Sequence, residues 1–166
     1  MAKPSLDLKR ALLTKLLAHL DAERATMQRA HDDARIAATH AEAKPENDKD
    51  TRALEASYLA AGQATRVAEL ELAAKVLGGM ELRSFEASTP IQSSAIVTLE
   101  DDDGVATTFF MAPHGGGAKL EAEGRAVQVL TPQSPLGKAV LGRTQGDAVE
   151  LRVKGSLREM TIVAVE

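Results

Sequence analysis

The chain has no cysteine and no tryptophan, and its 166 residues include one tyrosine and three phenylalanines. Without cysteine there is no disulfide, no thiolate nucleophile and no Cys-ligated zinc, a composition that fits a cytoplasmic protein. Four rings, Tyr58, Phe85, Phe109 and Phe110, are too few for a base-stacking platform or an aromatic-lined ligand pocket. No apolar run approaches the ~18 residues of a membrane span. Met1-Ala2-Lys3-Pro4-Ser5 leads into a charged amphipathic stretch rather than a signal peptide. A net charge of −4 disfavours a broad nucleic-acid-binding surface.

What is present divides into two grammars. Residues 1–79 balance 12 basic against 12 acidic residues, so the whole net charge falls in 80–166. Before Gly78-Gly79 the chain is rich in Ala, Leu, Glu and Arg. After it come β-branched residues, repeated glycines and four prolines. A domain boundary is expected near residues 78–88, with 1–79 helical and 80–166 rich in β-structure.

In the first half, Leu6, Leu13, Leu20, Met27, Ala34 and Ala41 recur every seven residues, with Leu16, Leu17, Ala30, Ala37 and Ala38 completing the seam. Ser5 is a candidate N-cap, and Asp7 suits the positive end of the helix dipole. A helix from Ser5 to about residue 42 would be ~55 Å long. Pro45 disfavours helix in the residue before it and is suited to open a second helix. Periodicity resumes with Ala56, Leu59, Ala60, Gln63, Val67, Leu70, Ala74 and Leu77, and Gly78-Gly79 stops it. Matching stripes around a short polar connection predict an antiparallel coiled-coil hairpin with its tip near 44–51. A compact bundle would need more than the two helices available.

The second half predicts strands at 95–99, 105–111, 126–130, 148–153 and 158–165, with one short helix at 134–142. Ser134 and Pro135 sit where a helix start wants them, and Gly142 where an end does. The fold class is therefore α+β, a helical hairpin followed by a small antiparallel β domain with one short helix.

Ser134-Pro135-Leu136-Gly137-Lys138-Ala139-Val140-Leu141-Gly142, then Gly146-Asp147 and a closing hairpin, resembles the C-terminal signature of the bacterial GreA/GreB transcript cleavage factors. The upstream hairpin resembles that family's N-terminal coiled coil with its acidic tip. The resemblance spans nearly the whole chain. It implies an FKBP-like β domain that docks on RNA polymerase and a coiled coil that enters the polymerase secondary channel. It further implies tip carboxylates that help hold a catalytic Mg²⁺ of the polymerase, so that backtracked nascent RNA is cleaved. The chain would then be an accessory factor, not itself an enzyme: a cytoplasmic monomer binding no cofactor alone, meeting the RNA 3′ end indirectly and DNA only within the elongation complex.

The tip reads Glu46-Asn47-Asp48-Lys49-Asp50-Thr51-Arg52 and departs from the family's usual acidic pair three residues apart. If the second helix begins at Pro45, Glu46 and Asp50 share a face at i, i+4, about 6 Å apart. They are the candidate trans-acting carboxylates, with Asp48 as substitute, and the same residues also suit a helix cap. Asn47 and Arg52 are candidate contacts to RNA or polymerase, Lys138 and Arg143 to polymerase. Tyr58 is expected to pack against the first helix. His31 and His40 lack a second ligand at i+3 or i+4 and predict no zinc site. Gly115-Gly116-Gly117 lacks the Lys-Ser/Thr of a phosphate loop and is expected to be a flexible hairpin connection. Residues 100–104 lack calcium-loop spacing.

Three other functions fit parts of this pattern: a channel-binding regulator without cleavage stimulation, a structural coiled-coil adaptor, and a peptidyl-prolyl isomerase. The last needs several rings around one proline, and adjacent strand residues Phe109 and Phe110 point to opposite faces.

Overall fold

The computed structural model describes residues 4–43, 51–153 and 155–166. Two long helices, α1 (Pro4–Ala43) and α2 (Arg52–Gly78), precede six strands and a short helix. The strands are β1 (Ile96–Asp101), β2 (Ala106–Met111), β3 (Lys119–Ala122), β4 (Arg125–Leu130), β5 (Ala148–Val153) and β6 (Ser156–Val165), with α3 (Pro135–Val140) between β4 and β5. The expected α+β order is present. The chain forms two compact units, one of Ala18–Lys75 and one of Met1–Leu17 with Val76–Glu166.

In the Ala18–Lys75 unit, α1 and α2 run antiparallel. Arg66 forks onto Glu23 at 2.6 and 3.2 Å, and His31 lies nearer the connection opposite Ala60. The seam is built from Leu20, Ala34 and Ala38 on α1 and Ala60, Val67, Leu70 and Ala73 on α2, all buried. Small residues toward the connection let the helices approach closely there. His31 Nδ1 sits 2.8 Å from the Ala60 carbonyl. A carbonyl oxygen only accepts, so this nitrogen carries the hydrogen. Arg66 also meets Glu69 at 3.3 Å, and these carboxylates hold its guanidinium above its ordinary pKa, hydrogen bonding to Glu23 being the largest cause.

In the other unit, the first turns of α1 bury Leu8, Lys9, Leu12 and Leu16. This i, i+4 line differs from the expected Leu6–Leu13 seam, whose leucines are only partly buried. The physical reason is a change of partner. A two-helix seam hides a narrow stripe, whereas these turns belong with the β domain and hide the face its packing requires.

The sheet order is β3-β4-β2-β1-β6-β5. All neighbours are antiparallel except β2 and β4, which are parallel with Phe109 opposite Gln128 and Met111 opposite Leu130. The parallel pair follows from β3, a strand the sequence pattern did not indicate. The chain leaves β2, passes to the sheet edge, and returns through a tight turn at Glu123 (φ 52°) and Gly124 (φ 74°). Two consecutive positive φ angles are the geometry of a type I′ hairpin. Residues 112–118 are therefore a crossover rather than a hairpin connection. Gly115 (φ 80°) lies so close to Leu16 of α1 that a Cβ there would stand 2.6 Å from Leu16 Cδ1.

Alternation along the strands buries both faces. Val97, Leu99, Phe109 and Met111 join Phe85, Ile91, Val140 and Ile162 in one core. Ile96, Phe110 and Val129 are buried on the opposite face. Burying these side chains supplies about 1.5–3 kcal/mol each before entropy, the main source of stability in a unit of this size.

Candidate functional site

Glu46, Asn47, Asp48 and Asp50, the residues expected at the tip, lie outside the described residues. What is described begins at Thr51, which is not helical. Its carbonyl accepts from Glu55 N at 2.9 Å, the first bond of the observed α2, and its hydroxyl donates to Glu55 Oε1 at 3.3 Å. The expected helical start at Pro45 lies outside the described residues, and Arg52 is exposed in the first turn of the observed α2. Tyr58 does not pack against α1. It is 70% exposed, and Leu54 and Leu59 are also exposed. At that end of the hairpin the seam needs only alanines, which leaves no room for a large ring.

The 134–142 segment is well defined. Ser134 stands just before α3 with φ −66° and ψ 155°, and its Oγ accepts from Gly137 N at 3.0 Å. The same hydroxyl donates to the Thr131 carbonyl at 2.8 Å. Pro135 occupies the first turn, where its missing N–H costs nothing. Gly137 admits no side chain, because an added Cβ would collide with the Thr131 carbonyl. Past the helix, Gly142 (φ 75°) donates to Ile91 O and Ile91 N donates to Arg143 O, both at 2.8 Å. Asp147 then closes the next turn by accepting from Thr144 N at 2.8 Å and Thr144 Oγ1 at 3.2 Å. Each small or turn-forming residue of the motif therefore has a structural cause. Lys138 and Arg143 are exposed. Arg143 borders a depression of about 450 Å³ that Glu150 and Glu159 also line.

A groove of about 610 Å³ runs along Phe109, Gln128, Thr131, Pro135, Leu136 and Leu151. Phe109 is the one ring in it, since Phe110 belongs to the other face. That lining lacks the aromatic cage that isomerase activity requires. Among the described residues no group of His, Asp and Glu is arranged to hold a metal ion, and no helix is long and apolar enough to cross a membrane.

These features, a capped Ser-Pro-Leu-Gly helix packed on a six-stranded mixed sheet, occupy a segment with a recognised signature. Residues 88–166 match the family described as "Transcription elongation factor, GreA/GreB, C-term". Residues 88–166 are a GreA/GreB C-terminal domain. Among solved structures the chain is similar to GreA factor homolog 1 (Gfh1) of Thermus thermophilus, at 24% identity over 93% of this chain and 94% of that one, with a TM-score of 0.38. Gfh1 of Thermus aquaticus is 23% identical over 94% of both chains, TM-score 0.38. A GreA/GreB elongation factor from Nitrosomonas europaea is 19% identical over 58% of this chain and 77% of that one, TM-score 0.37. No curated protein sequence matches.

One buried group in the unit that contains this domain was not anticipated. Lys9 is 0% exposed, its Nζ donates to the Arg83 carbonyl at 2.6 Å, and the ammonium sits 4.6 Å from the Phe85 ring centre. Desolvation lowers its pKa to about 8, opposed by the nearby Glu166 carboxylate. Glu166 is itself clamped by Arg125 at 2.7 and 3.1 Å, and that hydrogen bonding raises the Arg125 pKa. The only sequence signal for Lys9 was a lysine flanking a leucine line, a pattern shared by many exposed lysines.

Proposed function

We propose that this chain is an accessory elongation factor that binds RNA polymerase, places its helical hairpin in the secondary channel and stimulates cleavage of backtracked nascent RNA. The supporting observation is the GreA/GreB domain over residues 88–166, preceded by an antiparallel helical hairpin. Glu46 and Asp50, with Asp48 as substitute, supply the hard carboxylate oxygens that Mg²⁺ prefers, and Mg²⁺ takes few protein ligands at once. The ion belongs to the polymerase and, when bound, supplies charge stabilisation and an activated water. This chain's part is to deliver one or two oxygens from a segment held between two helix ends. Asn47 and Arg52 flank those oxygens, and Lys138 and Arg143 stand exposed on the domain that docks. The factor works as a cytoplasmic monomer, touching DNA only through the elongation complex.

The test is a transcript cleavage assay on a stalled elongation complex with purified polymerase. Added protein is expected to accelerate cleavage. Replacing Glu46 and Asp50 by Ala is expected to lower the stimulated rate by about 10²-fold or more, the scale of losing a charge-stabilising group. Unchanged stimulation in that variant refutes the tip assignment. A wild-type protein that binds polymerase without accelerating cleavage is instead a regulator that occupies the channel.

A further inference from the structure

The hairpin carries a feature that neither its own packing nor its acidic tip explains. From Ala56 to Thr65 the chain has ten consecutive residues with no charge, on a helix whose face is largely exposed over that stretch. Tyr58 is 70% exposed and Leu59 57%, with Leu54 at 56% one turn before them. The other three rings of the chain, Phe85, Phe109 and Phe110, are buried. Gly62 stands four residues after Tyr58 and three after Leu59, so all three share one face. A glycine inside an exposed helix is unfavourable relative to alanine, and internal packing offers no reason for this one, since a Cβ added at Gly62 meets nothing within 4 Å. Helical side chains lean toward the N-terminus, so the surface left bare by Gly62 is the strip alongside the Tyr58 ring.

We propose that Tyr58, Leu59 and Gly62 form a contact surface on α2 for an uncharged, apolar protein surface, namely the wall of the polymerase channel that receives the hairpin. This rests on the channel-binding reading above. The absence of charge decides the class of partner. A nucleic acid needs Lys or Arg against its phosphates, and residues 56–65 offer none. The extent of the surface argues against a second copy of this chain. Two turns of one helix cover far less than the ~1,200 Å² of a specific stable interface, so the patch works only as part of a larger engagement such as an inserted hairpin. Glycine at 62 lets the facing surface come close enough to cover the ring.

The experiment measures binding of the full-length protein to core RNA polymerase for wild type, Gly62→Ala, Gly62→Lys and Tyr58→Ser, with helicity checked by circular dichroism. Both substitutions at 62 have open space and better helix propensity than glycine, so neither should unfold the hairpin. Gly62→Ala is expected to weaken binding by a few-fold, because its methyl holds the facing surface away from the Tyr58 ring, and binding equal to wild type would remove the role given to the glycine. Gly62→Lys and Tyr58→Ser are expected to lose at least about tenfold, as central contact residues do. Wild-type binding with an unaffected Gly62→Lys protein overturns the patch alone. Absence of wild-type binding overturns the polymerase reading and the patch with it.

Discussion

Replacing Lys9 by Met tests whether this ammonium is desolvated in the folded chain. Lys9 is fully buried, with its pKa lowered from 10.5 to about 8. Below pH 8 both folded and unfolded chains hold this proton, and the fold carries a constant penalty. Between pH 8 and 10.5 the unfolded chain holds more protons, so unfolding free energy rises with pH, and the gain is complete above 10.5. A shift of this size corresponds to about 3 kcal/mol over the window. Near pH 7 the single-point effect of Lys9→Met is small. Relief of desolvation is offset by loss of a charged hydrogen bond to Arg83 O, worth about 1.5–3 kcal/mol, and of the Phe85 contact, about 0.5–2 kcal/mol. The slope is therefore the decisive quantity. Urea unfolding followed by the methyl signals of Ile91 and Ile162, both in the β core, should give a wild-type stability that climbs relative to Lys9→Met from pH 8 to 10.5. Parallel curves for the two proteins refute the reasoning. A Lys9 ¹³Cε titration with its midpoint near 8 gives the same answer directly.

Two further outcomes are expected from the same unit. Glu166→Gln removes the one carboxylate that raises the Lys9 pKa, so the ¹³Cε midpoint should fall further, whereas an unchanged midpoint would assign the shift to burial alone. Gly137→Ala drives a methyl into the Thr131 carbonyl, where backbone cannot yield cheaply. It should destabilise the β unit by about 3 kcal/mol, the upper end of overpacking costs, in the same urea assay. A loss within error of zero would show that the close approach of α3 to residue 131 relaxes freely.

The sequence revealed elements wherever a side-chain period or a punctuating residue controlled the backbone. α3 is legible because Ser134 and Pro135 perform local tasks that need no distant partner, and Gly142 adopts a positive φ that its missing side chain allows. β1 and β2 are legible because alternation puts Val97 and Ile96 on opposite faces. β3 was hidden for two reasons. Lys-Leu-Glu-Ala favours helix by propensity, and its turn uses Glu123 at φ 52° where asparagine or aspartate would have announced the hairpin. The line of burial on α1 was misplaced because it is set by distant partners in the same unit, Arg83 and Phe85 against Lys9 and Gly115 against Leu16. Glu46, Asp48 and Asp50 lie outside the described residues, and what is observed of α2 opens at Arg52. Tyr58 and Lys9 reversed the usual rule that rings go inside and lysines outside, and only tertiary context decides such cases.

The β unit is discontinuous in the chain, taking residues 1–17 from the start and 76–166 from the end. A growing polypeptide therefore makes Leu8, Leu12 and Leu16 long before the rest of the unit they belong to exists. Their closure must wait until residues 76–166 have been made, which makes this unit dependent on long-range contacts and slow relative to the local hairpin between its two pieces. Domain excision meets the same obstacle: a fragment beginning at residue 88 omits those leucines together with Lys9 and Phe85, and leaves the surfaces they covered open to aggregation.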